Sequence, residues 1–261
     1  MKQMTAFAMA ACMLLCTSCG AVKAPAEHAA FQELTGTYFD TSDISPDGTF
    51  EQYVCGGTDA EGENSLVKLV FDQYRSPDGE VYAFDEKGRL CYYRNVDDLF
   101  YNRMHGTTEK RTQEEMQETA GEILQCCGLD MAEFETTSES YFPDTDESAA
   151  YSLGLRRVHS EGIADAVILK LTDDGQLRSL NINYNETPEP TPEQKAYFAE
   201  QLDAYTARKQ ERYDLVGYTY ETMYYRYEDQ LYASYTFTFA EAPAEEPAYF
   251  TDEVTFMTQA G

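Results

Sequence analysis

The sequence has little positive charge. Its 261 residues include 19 Lys and Arg against 47 Asp and Glu, which gives a formal net charge of −28 at pH 7. Such a surface repels nucleic acid and anionic lipid headgroups, so DNA, RNA and a peripheral membrane-binding face are excluded. It attracts cations and basic peptides, although an acidic surface also serves solubility alone.

Histidine is scarce, which limits the chemistry the chain can perform. The three histidines are His28, His105 and His159, and there is no G-x-S-x-G motif. Ser160 and Glu161 follow His159, but neighbours along a strand point to opposite faces and do not form a triad. Pairs of carboxylates are unavoidable among 47 acidic residues and single out no glycosidase site. We therefore predict no catalytic residues.

The apolar run at the N-terminus is too short to cross a bilayer. Lys2 precedes an uncharged, mostly apolar segment over residues 4–15, which has the length of a secretory signal core. The letters TSCG follow at residues 17–20. This order resembles the bacterial lipoprotein signal, in which small residues precede an invariant Cys.

The resemblance implies that residues 1–18 are a signal peptide and that Cys19 carries a diacylglyceryl group. Residues 19–32 would then be the lipidated Cys and a tether. The two acyl chains of the diacylglyceryl group would anchor the protein stably, whereas a single chain is marginal. The alternative is an ordinary signal peptide, cut near Ala21 or Ala24. We expect the body on the extracytoplasmic face of the cell membrane, or on the outer membrane where the cell has two.

The cysteines of the mature body do not form a metal-binding pattern. They are Cys55, Cys91, Cys126 and Cys127, with no C-x-x-C motif and no Cys/His spacing for zinc. A disulfide between Cys55 and Cys91 is permitted outside the cytoplasm, whereas adjacent Cys126 and Cys127 are too strained to pair readily. Buried free thiols are the default, and we predict no metal and no cofactor.

The first part of the body, residues 33–106, is predicted to be an antiparallel β region. Residues 66–74 alternate between apolar and polar side chains, as a half-buried strand does. Residues 76–93 contain short apolar runs broken by the turn signals Asp78-Gly79 and Lys87-Gly88.

Two capped helices follow, each leading into apolar–polar alternation. The first has capping-box spacing at Thr112 and Glu115 and stops at Gly128; the second has Thr191 and Gln194 in the same spacing. Residues 129–148 are acidic and loop-like. Strands are predicted within the ranges 151–184, 217–239 and 248–257.

This order predicts the α+β class, with antiparallel sheets that each carry a helix on one face. We expect two helix-plus-three-strand units after the N-terminal meander. Their predicted bounds are 107–186 and 187–261.

Residues 112–180 carry a pattern of core and turn positions. Its members are Tyr151, Leu153, Arg156, Gly162, Val167, Leu169, Asp174, Gly175 and Leu177. The pattern resembles the PepSY and YcdB/YcdC-repeat group, which are secreted or membrane-attached modules with one helix on a small antiparallel sheet. The resemblance implies peptidase regulation or another envelope role without catalytic residues.

Tyrosine is abundant, with 21 in the chain, and many crowd into residues 218–235. Tyr combines a flat apolar ring with a hydroxyl group, so an exposed set suits peptide or glycan contact. The structural interpretation is cross-strand aromatic pairing, which we favour because Tyr is a common strand residue. The candidate interaction surface consists of Tyr218, Tyr225, Tyr227 and Tyr232.

We therefore predict a lipid-anchored, non-catalytic protein that binds or regulates another envelope component, such as an envelope protein or a basic peptide. One alternative is a small envelope hydrolase that cleaves glycans with paired carboxylates. The other is a structural module without a ligand. A pocket where two carboxylates converge would favour the hydrolase, and an uncovered Tyr-lined face would favour binding.

Overall fold

The computed structural model describes residues 34, 36–58, 64–95, 110–143, 149–227, 229–243, 245 and 247–259. These residues form eleven strands and two α-helices. The predicted signal peptide, the predicted lipidation site at Cys19, and the histidines at 28 and 105 lie outside them. No helix among the described residues is long and apolar enough to span a membrane.

Eight strands form one antiparallel sheet. They are β1 (Ser45–Thr58), β2 (Asn64–Arg75), β3 (Val81–Phe84), β4 (Leu90–Arg94), β5 (Glu135–Tyr141), β6 (Tyr151–Ser160), β7 (Ile163–Leu171) and β8 (Leu177–Asn183). Their order across the sheet is β1-β2-β3-β4-β8-β7-β6-β5. The predicted turns at Asp78-Gly79 and Lys87-Gly88 are confirmed, since both connect neighbouring strands of this sheet.

The N-terminal end of this sheet is strongly curled. In a flat sheet β1 and β4 would lie about 14 Å apart, because neighbouring strands are spaced by about 4.8 Å. Instead, the ring of Phe50 on β1 stacks on Tyr92 of β4 with a centroid distance of 4.0 Å. Gln52 of β1 also donates a 2.6 Å hydrogen bond to Asn181 of β8. The β1–β2 hairpin therefore folds over the outer face of the sheet.

Helix α1 (Gln113–Cys126) begins and ends as predicted. The Thr112 hydroxyl accepts the Glu115 N–H, the Glu115 carboxylate accepts the Thr112 N–H, and Gly128 follows the helix with a φ of +76°. Its predicted apolar stripe is buried in one core with the inner side chains of β3, β4 and β6–β8. The stripe residues in that core are Met116, Ala120, Ile123, Leu124 and Cys127.

A second, three-stranded antiparallel sheet completes the fold. It contains β9 (Leu215–Tyr227), β10 (Gln230–Glu241) and β11 (Ala248–Gln259) in the order β11-β10-β9. Helix α2 (Pro192–Arg212) starts at the predicted Thr191–Gln194 capping box. Its stripe residues Phe198, Leu202 and Tyr205 share a core with Tyr235, Phe237, Phe239, Val254 and Phe256.

The α+β class is confirmed, but two local expectations were wrong. Residues 135–141 form strand β5, where a loop was expected, so four strands follow α1 rather than three. β5 pairs with β6 as an edge strand and is largely exposed, so its polar sequence carries no alternation. The N-terminal strands also join the same sheet as β5–β8, through the pairing of Tyr92 with Asn181 and of Tyr93 with Leu180.

The two sheets meet at β9 and also where β1 lies beside β11. The Tyr224 N–H donates to the Gly162 carbonyl in the β6–β7 turn over 2.7 Å. The Asn185 side-chain amide donates to the Tyr224 carbonyl over 2.8 Å, and the Arg226 N–H donates to the Thr187 hydroxyl over 2.8 Å. This edge of β9 is thus tied to the first sheet by backbone groups that would otherwise need water.

Candidate functional site

A cleft of about 510 Å³ opens where the two sheets meet, and we call it the junction cleft. Four short segments line it. They are residues 69–71 of β2, residues 85–87 and 89 around the β3–β4 turn, residues 183–187 at and after the end of β8, and residues 225–227 at the end of β9. Its size is in the range of small-ligand sites.

One wall of the junction cleft is an ion-pair network centred on Arg89. Its guanidinium contacts the Asp85 carboxylate at 2.7 Å and the Glu186 carboxylate at 2.8 Å, and lies 4.0 Å from the Tyr184 ring centroid. Lys87 also pairs with Glu186. A cation that bridges two carboxylates and stacks on a ring is held rigidly, because Arg is planar and offers several donors.

The β3–β4 turn fixes this network in place. The Asp85 carboxylate accepts the N–H groups of Lys87 at 3.0 Å and Arg89 at 2.8 Å, as Asp commonly does in tight turns. The Gly88 N–H closes the turn onto the Asp85 carbonyl over 2.9 Å. One carboxylate therefore sets both the turn and the direction of the Arg89 side chain.

The rest of the junction cleft is aromatic and amide-lined. Tyr225 is buried, whereas Phe71 and Tyr227 are half-buried. Asn183 is only 7% exposed, and its Oδ1 atom has no hydrogen-bond partner among the described residues. A buried acceptor without a donor costs about 1–3 kcal/mol. The Oδ1 atom itself exposes less than 1 Å² of surface, so a donor would reach it only after neighbouring side chains shift.

A smaller cavity of about 280 Å³ adjoins the junction cleft and shares Arg89, Tyr184 and Glu186 with it. Its wall carries a second ionic group on the β6–β7 hairpin. The Asp165 carboxylate, 4% exposed, contacts the Arg157 guanidinium at 2.8 Å and the His159 Nε2 at 3.0 Å.

The pKa values of two carboxyl groups at these cavities, Glu186 and Asp165, are lowered, so both groups stay charged near neutral pH. Hydrogen bonding to Lys87 lowers the pKa of Glu186, and the charge of Arg89 adds to this. Burial acts to raise the pKa of Asp165, but hydrogen bonds from Arg157, His159 and the Asn185 N–H lower it overall. A general acid requires a raised pKa, so neither carboxylate is prepared for that role.

Cys127 and His159 both line the smaller cavity, but no hydrogen bond joins a thiol to a histidine in the part of the chain that the structure describes. Burial raises the pKa of the Cys127 thiol to about 12, so it stays protonated near neutrality. Cys91 is a buried free thiol. Among the described residues, no group of His, Cys, Asp and Glu is placed to hold a metal ion.

The structure separates the four predicted interface tyrosines into two sets. Tyr225 and Tyr227 line the junction cleft, and Tyr232 lies directly opposite Tyr225 on the same face of the sheet. Tyr218 lies on the other face, where its ring contacts Phe237 and Phe239. The odd spacing between Tyr218 and Tyr225 along one strand produces this separation.

Sequence reasoning missed the ionic groups. Arg89, Asp85 and Glu186 come from two distant segments that only tertiary structure brings together. The pair Arg157–Asp165 had a local signal, because a hairpin that turns at Glu161-Gly162 places these residues opposite each other, and that register is observed.

Comparisons with known proteins add no assignment to this geometry. No protein-family model, no curated protein and no solved structure matches the chain.

Proposed function

We propose that the chain is a non-catalytic binding or regulatory protein of the cell envelope, with the junction cleft as its binding site. The observation that carries this proposal is the combination of tyrosine rings with amide and charged side chains around one cleft. Apolar ring faces beside a few fixed polar groups suit a ligand with a flat polar unit, such as a peptide amide or a sugar.

The state of the carboxylates supports binding over hydrolysis. Asp85 and Glu186 both line the junction cleft, as a glycosidase pair would. However, Arg89 bridges them, and Lys87 holds the second. These ion pairs already occupy both carboxylates, which favours a structural role for them in a binding site.

The two helices support a modular interpretation of the body. We propose that residues 107–186 and 187–261 act as helix-on-sheet units similar to PepSY modules. Each helix contributes its apolar stripe to the core of its own sheet, which supports this division. Strands β1–β4, which belong to the predicted N-terminal region 33–106, then extend the first sheet, and β2 and the β3–β4 turn line part of the cleft.

Replacing Tyr227 by alanine is expected to reduce capture of the partner about tenfold, because aromatic side chains in a pocket carry much of the binding energy. The measurement is a crosslinking pull-down from intact cells that express the full chain. Tyr249→Ala is the matched control, since Tyr249 is 70% exposed and lies on β11, outside the cleft.

Equal capture by both variants and the unaltered chain would reject the junction cleft as the binding site. If purified protein instead releases sugars from cell-wall glycan, and does so more slowly after Asp85→Asn, the hydrolase alternative replaces this proposal.

Replacing Cys19 by alanine is expected to prevent lipidation, because the thiol that would receive the diacylglyceryl group is lost. The protein should then appear in the medium or stay unprocessed, since a chain without its acyl groups has no stable anchor. Cell fractionation with immunoblotting checks this, with Cys16→Ala as the control. A processed Cys19→Ala chain that remained with the membrane would contradict the proposed anchor.

A further inference from the structure

The first half of β9 is an open strand edge. β9 is an edge strand of its sheet and pairs with β10 on one side only. On the other side, the first sheet contacts β9 at Tyr224 and Arg226. The residues before that contact, Val216–Glu221, are all exposed.

The backbone groups that face outward along this edge can be identified. Tyr224 and Arg226 use theirs to bond the first sheet, so the even-numbered residues of β9 point their N–H and C=O groups away from β10. By the same alternation, Tyr218 and Tyr220 present outward N–H and C=O groups, whereas the pairing with β10 is irregular at Val216 and the alternation stops there. No hydrogen bond from another described residue reaches the outward groups of Tyr218 and Tyr220.

The side chains on these residues are apolar and accessible. Val216 is 47% exposed, Tyr218 39% and Tyr220 46%. The two tyrosine rings lie 6.5 Å apart and rest against Phe237 of β10. The edge therefore combines unpaired backbone groups with two exposed tyrosine rings. Exposed edge strands are commonly protected from further strand pairing by Lys or Pro. Neither residue occurs in β9.

Charge selects the kind of strand that fits. Exposed Asp214 precedes the open edge, exposed Glu221 ends it, and Glu161 lies close to Tyr224 just beyond. The chain as a whole carries a net charge of −28. A second copy would bring an equal negative charge to the same edge, so pairing between two copies is opposed by repulsion. A basic segment would be attracted.

We propose that the Val216–Tyr220 edge of β9 binds an extended basic peptide segment by adding it as a fourth strand of the second sheet. Backbone hydrogen bonds to Tyr218 and Tyr220 supply the pairing, and the exposed rings of these two tyrosines contact alternate side chains of the peptide. This site is distinct from the junction cleft, because Tyr225 and Tyr227 lie past the point where β9 contacts the first sheet.

The test uses the complete folded body and a short synthetic peptide of alternating lysine and valine. Hydrogen–deuterium exchange of residues 216–222 is measured with and without saturating peptide. We expect exchange in this segment to slow at least about tenfold, because outward amides become hydrogen-bonded. The matched peptide of alternating glutamate and valine should leave the exchange unchanged.

Variants separate the backbone and charge contributions. Tyr218→Pro removes an outward N–H that forms no bond to β10, so the sheet tolerates it as edge strands do. It should weaken Lys–Val peptide binding at least about tenfold. Glu221→Lys should weaken it about threefold at low salt, whereas Glu118→Lys, the same change on exposed α1 surface, should not.

Three outcomes would overturn the proposal. One is peptide binding without slowed exchange in residues 216–222. Another is slowing that depends on protein concentration rather than on peptide, which would assign the edge to a second copy. The third is equal binding of the Lys–Val and Glu–Val peptides. If Tyr218→Pro fails to fold, the exchange measurement and Glu221→Lys still decide.

Discussion

Replacing Gly162 by alanine is expected to lower the free energy of unfolding by about 3–5 kcal/mol. Gly162 has a φ of +75°, which side chains with a Cβ adopt at a cost. A Cβ at this position would also lie 2.6 Å from Cδ2 of Tyr224, well inside contact distance. Because Tyr224 is buried and bonded to the Gly162 carbonyl, the ring cannot move without loosening the contact between the two sheets.

Gly128→Ala is the matched control for this prediction. Gly128 has nearly the same φ, +76°, but nothing lies within 4 Å of a Cβ built there. It should therefore lose only the backbone contribution, about 1–2 kcal/mol. Urea unfolding followed by far-UV circular dichroism gives both values. Equal losses in the two variants would show that the contact of Gly162 with Tyr224 does not matter for stability.

The parts of the fold that follow from local sequence were predictable. Helix α1 was predictable because its capping box, apolar stripe and stop at Gly128 all lie within one short segment. The strands β6–β8 were predictable because each buries alternate residues. β5 was not, since an exposed edge strand has no side to bury. The pairing of β4 with β8 was not either, because nothing near Tyr92 indicates a partner as distant as Asn181.

The candidate site was predictable to a smaller extent, for a related reason. Tyrosines 225, 227 and 232 stood out by composition, and the structure places the first two at the junction cleft. The network of Arg89 with Asp85 and Glu186 had no signal in the sequence, because charged residues are common and their pairing depends on tertiary structure. Tyr218 was grouped with the others although strand alternation alone would have separated it.

The second large effect is expected at Asp165. Asp165→Asn should lower the free energy of unfolding by about 3 kcal/mol near neutral pH, because Arg157 then loses a buried anionic partner. An amide at this site keeps one acceptor for the Asn185 N–H, which lies 2.8 Å from Oδ1 of Asp165. Its NH₂ group, however, would face the Arg157 donors, 2.8 Å and 3.2 Å from Oδ2. Donors that face each other repel.

The pH dependence of this loss identifies its electrostatic origin. The folded pKa of Asp165 is lowered below its ordinary value of 3.8, so its contribution is fully present above that value and disappears as pH falls through the folded pKa. The gap in stability between the unaltered chain and Asp165→Asn should therefore shrink as the pH falls below about pH 4. Urea titrations at each pH measure it, with Asp203→Asn, an exposed position on α2, as the control. A gap that stayed constant into strong acid would mean that packing, and not the charge of Asp165, holds the β6–β7 hairpin in place.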